Sequence, residues 1–478
     1  MPISAARRIA YDVLLRVETQ QAYASDLLHS ALTGKISAAD AGLTTELALG
    51  VLRQQRLLDF LIERQSRKRI AGLDREVVLA LRLGLYQLRF LDRVPARAAI
   101  YESVELVKQG RKKSAATFVN AVLRGASATA RADFAPLLPA NFPLAERLGI
   151  LHSHPTWLVE RWLGRFGETQ AIALLEANNR APELAGVIHD ASARDEIVRS
   201  MERSGLHILP GLWLKDAFRA SGGSLAQSAE FREGRASIQD EASQMVPLLL
   251  DVARGDSVLD LCAAPGGKTA TLARAAGPDA VVVAADRHAH RLGAIKKHIE
   301  RLRLRGVEIV ELDGTLALPF LAKFARVLVD APCSGTGTLG RNPEIRWSLR
   351  VEDLGALHER QVALLRAGLG QLEAGGRLVY STCSLEAEEN EGVIEAALGG
   401  VNGYRRVGRD ELMAILAPHF ADDGGARGLA KDARLNPGAT QSLPVTSFFD
   451  EAGAFRALPS VHHTDGFFAV AIERDRPS

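Results

Sequence analysis

Asp260-Leu261-Cys262-Ala263-Ala264-Pro265-Gly266-Gly267-Lys268-Thr269 is the stretch on which the fold of this chain is decided. The apolar run Ser257 to Cys262 predicts a strand, and Thr269 to Ala275 predicts the helix that follows. Between them Gly266 and Gly267 carry no side chains, so backbone N–H groups can approach a ligand closely, ahead of a helix N-terminus. Strand, glycine turn and helix in that order open a parallel sheet, whose ligands sit beyond the carboxyl ends of the strands. The spacing is neither that of a Walker loop nor GxGxxG, which favours an adenosine-bearing ligand without a pyrophosphate.

Working outward, strands are expected at Val281 to Asp286, Val307 to Leu312, Arg326 to Asp330, Arg377 to Thr382 and Gly466 to Glu473. Helices at Arg291 to Leu302 and Leu354 to Leu372 alternate with them, which specifies a mostly parallel sheet covered on both faces. Asp286 closes the second strand about 20 residues after the glycine turn, the spacing of an acid that binds a ribose. Asp313 closes the third, where it can meet an adenine edge, and Asp330 closes the fourth. The turn-rich stretch Asp422 to Pro444 predicts a surface loop.

The first 140 residues read as helix after helix. Ile9, Val13 and Val17 mark one apolar face, and Leu47, Val51, Leu58 and Ile62 another. Further runs are Val77 to Leu91, Ile100 to Val107 and Ala115 to Leu123, the last ending before Gly125, a residue type that stops helices. Residues 141–232 predict a small α+β connector, with helices at Trp157 to Phe166 and Thr169 to Asn178 and short strands at Leu184 to His189 and His207 to Leu209. Three domains result: 1–140, all α; 141–232, α+β; and 233–478, α/β.

The net charge of +2 hides an asymmetry. Residues 1–140 hold 21 Lys+Arg against 13 Asp+Glu, a basic module on a mildly acidic body, which suggests a polyanion-binding arm. Arg67-Lys68-Arg69 and Arg111-Lys112-Lys113 are its candidate phosphate contacts. No long uncharged apolar run and no secretion signal are present, and Cys262, Cys333 and Cys383 lack disulfide or zinc spacing. These features predict a cytoplasmic, metal-free protein without membrane association. His288, His290, His462 and His463 show no ligand spacing and are expected at the solvated surface.

All three cysteines end predicted strands. Asp330-Ala331-Pro332-Cys333-Ser334-Gly335-Thr336-Gly337 and Ser381-Thr382-Cys383-Ser384 join the glycine turn, pointing to thiol chemistry beside a nucleotide-like cofactor. With Arg341-Asn342-Pro343-Glu344-Ile345-Arg346-Trp347, Gln239-Asp240-Glu241-Ala242-Ser243 and Asp465-Gly466-Phe467-Phe468, these motifs resemble the S-adenosylmethionine-dependent RNA cytosine-5 methyltransferases. The helical block, through Phe118-Val119-Asn120-Ala121-Val122-Leu123-Arg124, is similar to the NusB-type RNA-binding fold, a pairing typical of the RsmB (Sun, Fmu) branch.

The resemblance implies a Rossmann-like methyltransferase domain with a mostly parallel seven-stranded sheet, preceded by a NusB-like domain and the connector. It implies S-adenosyl-L-methionine as cofactor, bound by Cys262, Ala263, Ala264, Pro265, Gly266, Gly267, Lys268, Asp286, Asp313 and Asp330. It also implies a 16S rRNA substrate and a monomer. Cys383 becomes the nucleophile at carbon 6 of cytosine, Cys333 the residue that assists release, and Asp330 the partner of cytosine N3. Assigning attack to Cys383 rather than Cys333 rests on the family match, not on spacing. Arg341, Arg346 and Trp347 are placed to meet phosphates and stack on a base. Two alternatives stay open: the same reaction on tRNA or another RNA, and a non-catalytic NusB-like RNA-binding factor.

Overall fold

The computed structural model describes residues 3–20, 22–32, 36–110, 112–128, 134–421 and 443–476. The chain divides into two compact units, Met1–Ala181 with Leu339–Leu349, and Pro182–Thr338 with Arg350–Ser478. Residues 141–181 and 182–232, grouped as one connector by sequence, therefore fall in different units. The sequence-predicted loop Asp422 to Pro444 lies outside the described residues except for its last two.

The first unit is helical: α1 (Ala5–Gln20), α2 (Ala24–Leu32), α3 (Ala38–Arg53), α4 (Gln55–Ser66), α5 (Arg75–Phe90), α6 (Ala96–Gln109), α7 (Ala116–Ala128), α8 (Leu144–Leu151) and α9 (Thr156–Asn179). Apolar residues three and four apart bury one face of each; α1 buries Ala10, Val13, Leu14 and Val17, with Ile9 at the margin of the core. Gly125 does not stop a helix. It lies inside α7 because a Cβ there would sit 2.0 Å from the Gln65 side chain, so glycine serves close approach. The two expected helices around residue 167 are joined across a break at Gly167, whose φ of 75° suits glycine best.

The second unit contains two sheets. Its small one, ordered β2-β3-β1-β4, is antiparallel and comprises β1 (Leu184–Ile188), β2 (His207–Pro210), β3 (Ala217–Ser221) and β4 (Ala236–Ile238), with α10 (Arg194–Arg203) between β1 and β2. The short α11 (Ala229–Arg232) and α12 (Glu241–Leu248) flank β4. The larger sheet then begins with β5 (Val258–Asp260), α13 (Gly267–Ala276), β6 (Val282–Asp286), α14 (Ala289–Arg301), β7 (Val307–Glu311) and β8 (Phe324–Asp330). After the turn α15 (Ile345–Ser348), part of the first unit, come α16 (Asp353–Gln371), β9 (Leu372–Thr382), α17 (Glu391–Leu398), β10 (Tyr404–Arg406), α18 (Arg409–Leu416), β11 (Phe455–Ala457) and β12 (Phe467–Arg474).

The large sheet runs β10-β12-β9-β8-β5-β6-β7, seven strands, with β11 as an eighth paired to β12. β9, β8, β5, β6 and β7 are parallel, and β12 is antiparallel to β9. Successive residues face opposite sides. Val258, Val282, Leu328 and Val379 pack with α12 and α13, while Leu259, Val283, Val327 and Leu378 pack with α16 and α17. Both faces are thus covered, which is why the strands read as continuous apolar runs. The carboxyl ends of β5, β6, β8 and β9 deliver the predicted acids and thiols.

Candidate active site

Glycines, acids and thiols converge at that sheet end. Gly266 adopts a φ of 105°, and α13 begins at Gly267, so the turn Cys262–Lys268 ends on a helix N-terminus. The last residue of β5, Asp260, is buried; its Oδ2 accepts from Thr269 Oγ1 at 2.6 Å, while Oδ1 has no well-formed hydrogen bond among the described residues. Burial, reinforced by the charge of Asp330, pushes its carboxyl up to about 7.

Asp330, at the end of β8, is held at both oxygens: Ser381 Oγ donates to Oδ1 and Lys268 Nζ to Oδ2, each at 2.7 Å. Burial works against the Lys268 ammonium, yet Asp330, helped by Cys383, keeps it above the ordinary lysine value. The same ammonium lies 5.0 Å from the centre of the Phe467 ring. Lys268 is therefore a fixed cation between the glycine turn and the thiols.

Cys333 and Cys383 bring their sulfurs within 3.3 Å of each other. The hydrogen bond that Cys333 donates to Cys383, together with burial, pushes the Cys333 thiol well above its usual value, so Cys333 keeps its proton in this arrangement. The cysteine-bearing loops are tied by backbone bonds, Ala331 N–H to Ser381 O at 2.8 Å and Gly337 N–H to Cys383 O at 2.9 Å. Cys262 stays apart from this pair. Burial pushes its thiol far up, which leaves it unreactive.

The residue that sequence reasoning missed is Glu389. It is fully buried and accepts from Ser334 N–H at 2.8 Å, Ser384 Oγ at 2.5 Å, Gln361 Nε2 at 2.9 Å and the Ser334 hydroxyl. One carboxylate thus pins the residue after Cys333 to the residue after Cys383. Its only sequence signal was an acidic run, Glu386 to Glu391, which ordinarily denotes a solvated surface.

Other expected site residues stand in more ordinary surroundings. Asp286 is buried, accepts from His288 N–H at 3.1 Å and pairs with Arg291 at 3.3 Å. Asp313 accepts from the Thr315 hydroxyl and N–H, which with Arg287 hold its carboxyl below the usual range. His462 is a correction: it is buried, 4.1 Å from the Phe448 ring centre, because Leu458 N–H at 2.9 Å satisfies its Nδ1.

Arg346 and Trp347 are corrected as well. Trp347 packs on the helical core and donates its indole N–H to Leu52 O at 2.8 Å. The buried Arg346 donates to Ser153 O and Asn179 Oδ1, both at 2.9 Å, and burial with the nearby Arg53 brings it down to about 9. Arg346 is thereby closed off from RNA, while Trp347 stays half-buried with its indole N–H already used. Of the basic clusters, Lys112 pairs with Asp74 at 3.0 Å, Lys68 sits over the Phe118 ring, and Arg111 lies outside the described residues.

The site is that of a methyltransferase-type α/β domain bearing paired thiols. The sequence pattern of 16S rRNA methyltransferase RsmB/F matches residues 247–473, and that of the NusB family residues 4–128. The chain is 34% identical over 442 residues to the probable ribosomal RNA small subunit methyltransferase B of Bacillus subtilis, covering 89% of this chain and 98% of that one. It is 35% identical to ribosomal RNA small subunit methyltransferase B of Pseudomonas putida, over 82% and 90% of the two chains. The crystal structure of a methyltransferase homolog from Pyrococcus horikoshii matches 70% of this chain and 99% of its own, with 29% identity and a TM-score of 0.54. The chain belongs to the RsmB/F family of rRNA methyltransferases and carries a NusB domain at its N-terminus.

Proposed function

We propose that this enzyme methylates carbon 5 of a cytosine in 16S rRNA, with S-adenosylmethionine as the methyl donor and Cys383 as a transient covalent nucleophile. The observation that carries this reading is the 3.3 Å approach of the two sulfurs beside the Lys268–Asp330 pair. The family to which the chain belongs supports an rRNA substrate, and the Bacillus subtilis and Pseudomonas putida relatives are small-subunit enzymes by name.

The residues at the glycine turn fit the donor. The turn at Gly266 leads the backbone into the N-terminus of α13, Asp260 Oδ1 is a buried acceptor with no well-formed hydrogen bond among the described residues, Asp286 closes β6 and Asp313 follows β7 by two residues. Cys262, Ala263, Ala264, Pro265, Gly266, Gly267 and Lys268 would hold the amino-acid end, Asp286 the ribose and Asp313 the adenine. When bound, the donor supplies an electrophilic methyl group on a sulfonium sulfur.

Carbon 5 of cytosine is a weak nucleophile within an aromatic ring. The Cys383 thiolate forms a bond to carbon 6, and the C5=C6 pair shifts to make carbon 5 nucleophilic. Asp330, oriented by Lys268 and Ser381, carries a proton to N3 as negative charge develops there, because an ionised carboxylate could only accept. After methylation, water takes the carbon 5 proton, the C–H electrons restore C5=C6, and Cys383 leaves carbon 6 as a thiolate. Cys333, the neighbour that retains its proton, assists that release by donating its S–H to the departing Cys383 sulfur.

The test is transfer of labelled methyl groups to 16S rRNA. Cys383→Ala lowers it on the order of 10⁴-fold, the scale of losing an essential nucleophile. Cys333→Ala leaves a protein–RNA adduct that survives denaturing gels. A fully active Cys383→Ala enzyme overturns the mechanism.

A further inference from the structure

Where the small sheet meets α13 and α14, four nitrogen-bearing side chains from three segments gather: His189 after β1, Arg274 on α13, and His298 and Arg301 on α14. Arg301 is partly structural. Its Nη1 donates to Phe231 O at 2.5 Å and Ala236 O at 3.0 Å, and its Nη2 donates to Ser237 Oγ at 2.9 Å. Ser237 Oγ also meets His189 Nε2 at 2.8 Å. Arg301 Nη2 lies 3.4 Å from His298 Nδ1, and an arginine can only donate, so Nδ1 is the acceptor and Nε2 carries the hydrogen. That Nε2–H is buried and has no acceptor among the described residues. Arg274 has no hydrogen-bond or ion-pair partner among the described residues.

Carboxylates are missing from this group. The charges that act on His189, His298 and Arg274 are one another and Arg301, all cationic or neutral. Burial and this mutual repulsion bring Arg274 down to about 10 and His298 to about 4. The acids next door, Glu196, Glu230 and Glu233, are engaged by Arg235. Arginines in the last turns of α13 and α14 suit the helix dipoles, but the dipole explains neither the orphan imidazole N–H nor the lack of any acid. Residues 289–305 hold six Lys+Arg against one Glu, and exposed Lys297, Arg303 and Arg305 make no ion pair among the described residues. A set of donors without acceptors, continued by a basic stripe, matches a ligand made only of acceptors and repeated along a chain.

We propose that this cluster binds a backbone phosphate of the RNA substrate, with Arg274 as the anchoring cation, His298 Nε2 as a second donor, and Lys297, Arg303 and Arg305 leading the strand onward. The inference rests on the rRNA substrate reading and adds an RNA contact outside the thiol site. The cluster lies behind the glycine turn: a Cβ at Gly266 would stand 3.6 Å from His298 Cβ.

The experiment uses the full chain as wild type, Arg274→Gln and Arg274→Lys, binding a 16S rRNA fragment across a salt series. Arg274→Gln is expected to weaken binding about threefold to tenfold and to reduce the slope of log affinity against log salt by about 0.7–0.9, one phosphate contact. Arg274→Lys recovers part of both, and S-adenosylmethionine affinity stays unchanged. Unchanged RNA affinity and slope in Arg274→Gln overturns the proposal, and so does weaker binding with an unaltered slope. A lower melting temperature with wild-type RNA binding assigns Arg274 to the fold instead, which also overturns it. Inorganic phosphate against chloride at matched ionic strength forms a second arm. Phosphate protection of wild type but not of Arg274→Gln supports a phosphate site even where wild type binds no rRNA, an outcome that sinks the substrate reading alone; equal protection of both in that case overturns the site too.

Discussion

Two motif segments of similar character end in opposite circumstances. Arg341 to Trp347 and the pair of cysteine loops both carry residue types associated with RNA chemistry. Arg346 and Trp347 spend donors on carbonyls of the helical unit, whereas Cys333 and Cys383 hold their sulfurs 3.3 Å apart at the carboxyl end of the sheet. A motif therefore records that a position is constrained, not what constrains it. In the first segment the constraint is a buried cation that must find acceptors, and in the second it is the close approach of two thiols, which the proposed reaction would use.

The contrast can be broken by experiment. Arg346→Met keeps the apolar stem but leaves the carbonyls of Ser153, Asn178 and Leu339 without this donor. Its expected cost is about 3 kcal/mol of stability, read by denaturant unfolding, with S-adenosylmethionine affinity unchanged. If stability stays at the wild-type level while RNA binding falls, Arg346 is an RNA contact and the comparison fails.

Glu389→Gln sharpens the other side. The amide turns one acceptor into a donor facing the Ser334 and Ser384 hydroxyls, and the cysteine loops lose their common clamp. Turnover is expected to fall on the order of tenfold to a hundredfold, as misplacement of reacting groups commonly costs, with little change in donor affinity. A loss confined to donor binding would remove Glu389 from thiol positioning.

A pH-dependent effect concerns Asp260. Its folded carboxyl titrates at about 7 and an unfolded one at about 4, so between those values the folded chain binds the extra proton. Stability from this group is complete below about pH 4 and declines as pH rises to about 7. Asp260→Asn should flatten that part of the stability profile measured by thermal melting. A profile identical to wild type would mean that Asp260 ionises normally.

Much of the catalytic body was legible because its signals are local. Apolar runs such as Val282 to Ala285 are strands buried on both faces, and a double glycine before a helix is a turn that must approach something. Glu389 was not legible, since an acid in a run of acids looks solvated until the donors of Ser334, Gln361 and Ser384 are found around it. His462 was misread for the same reason: its satisfaction comes from Leu458 N–H and the Phe448 ring, and no spacing announces either.

Sequence alone determined the alternation of strand and helix, the strand-end positions of the acids and thiols, and the helical N-terminal region, because periodicity and turn chemistry act over a few residues. Tertiary structure alone decided which charges are spent inside the protein and which are left for a ligand. Arg346 found carbonyls, Asp330 found Lys268, and Arg274 found no acid. That outcome depends on which segments meet, and a buried charge is governed by its neighbours in space rather than in the chain.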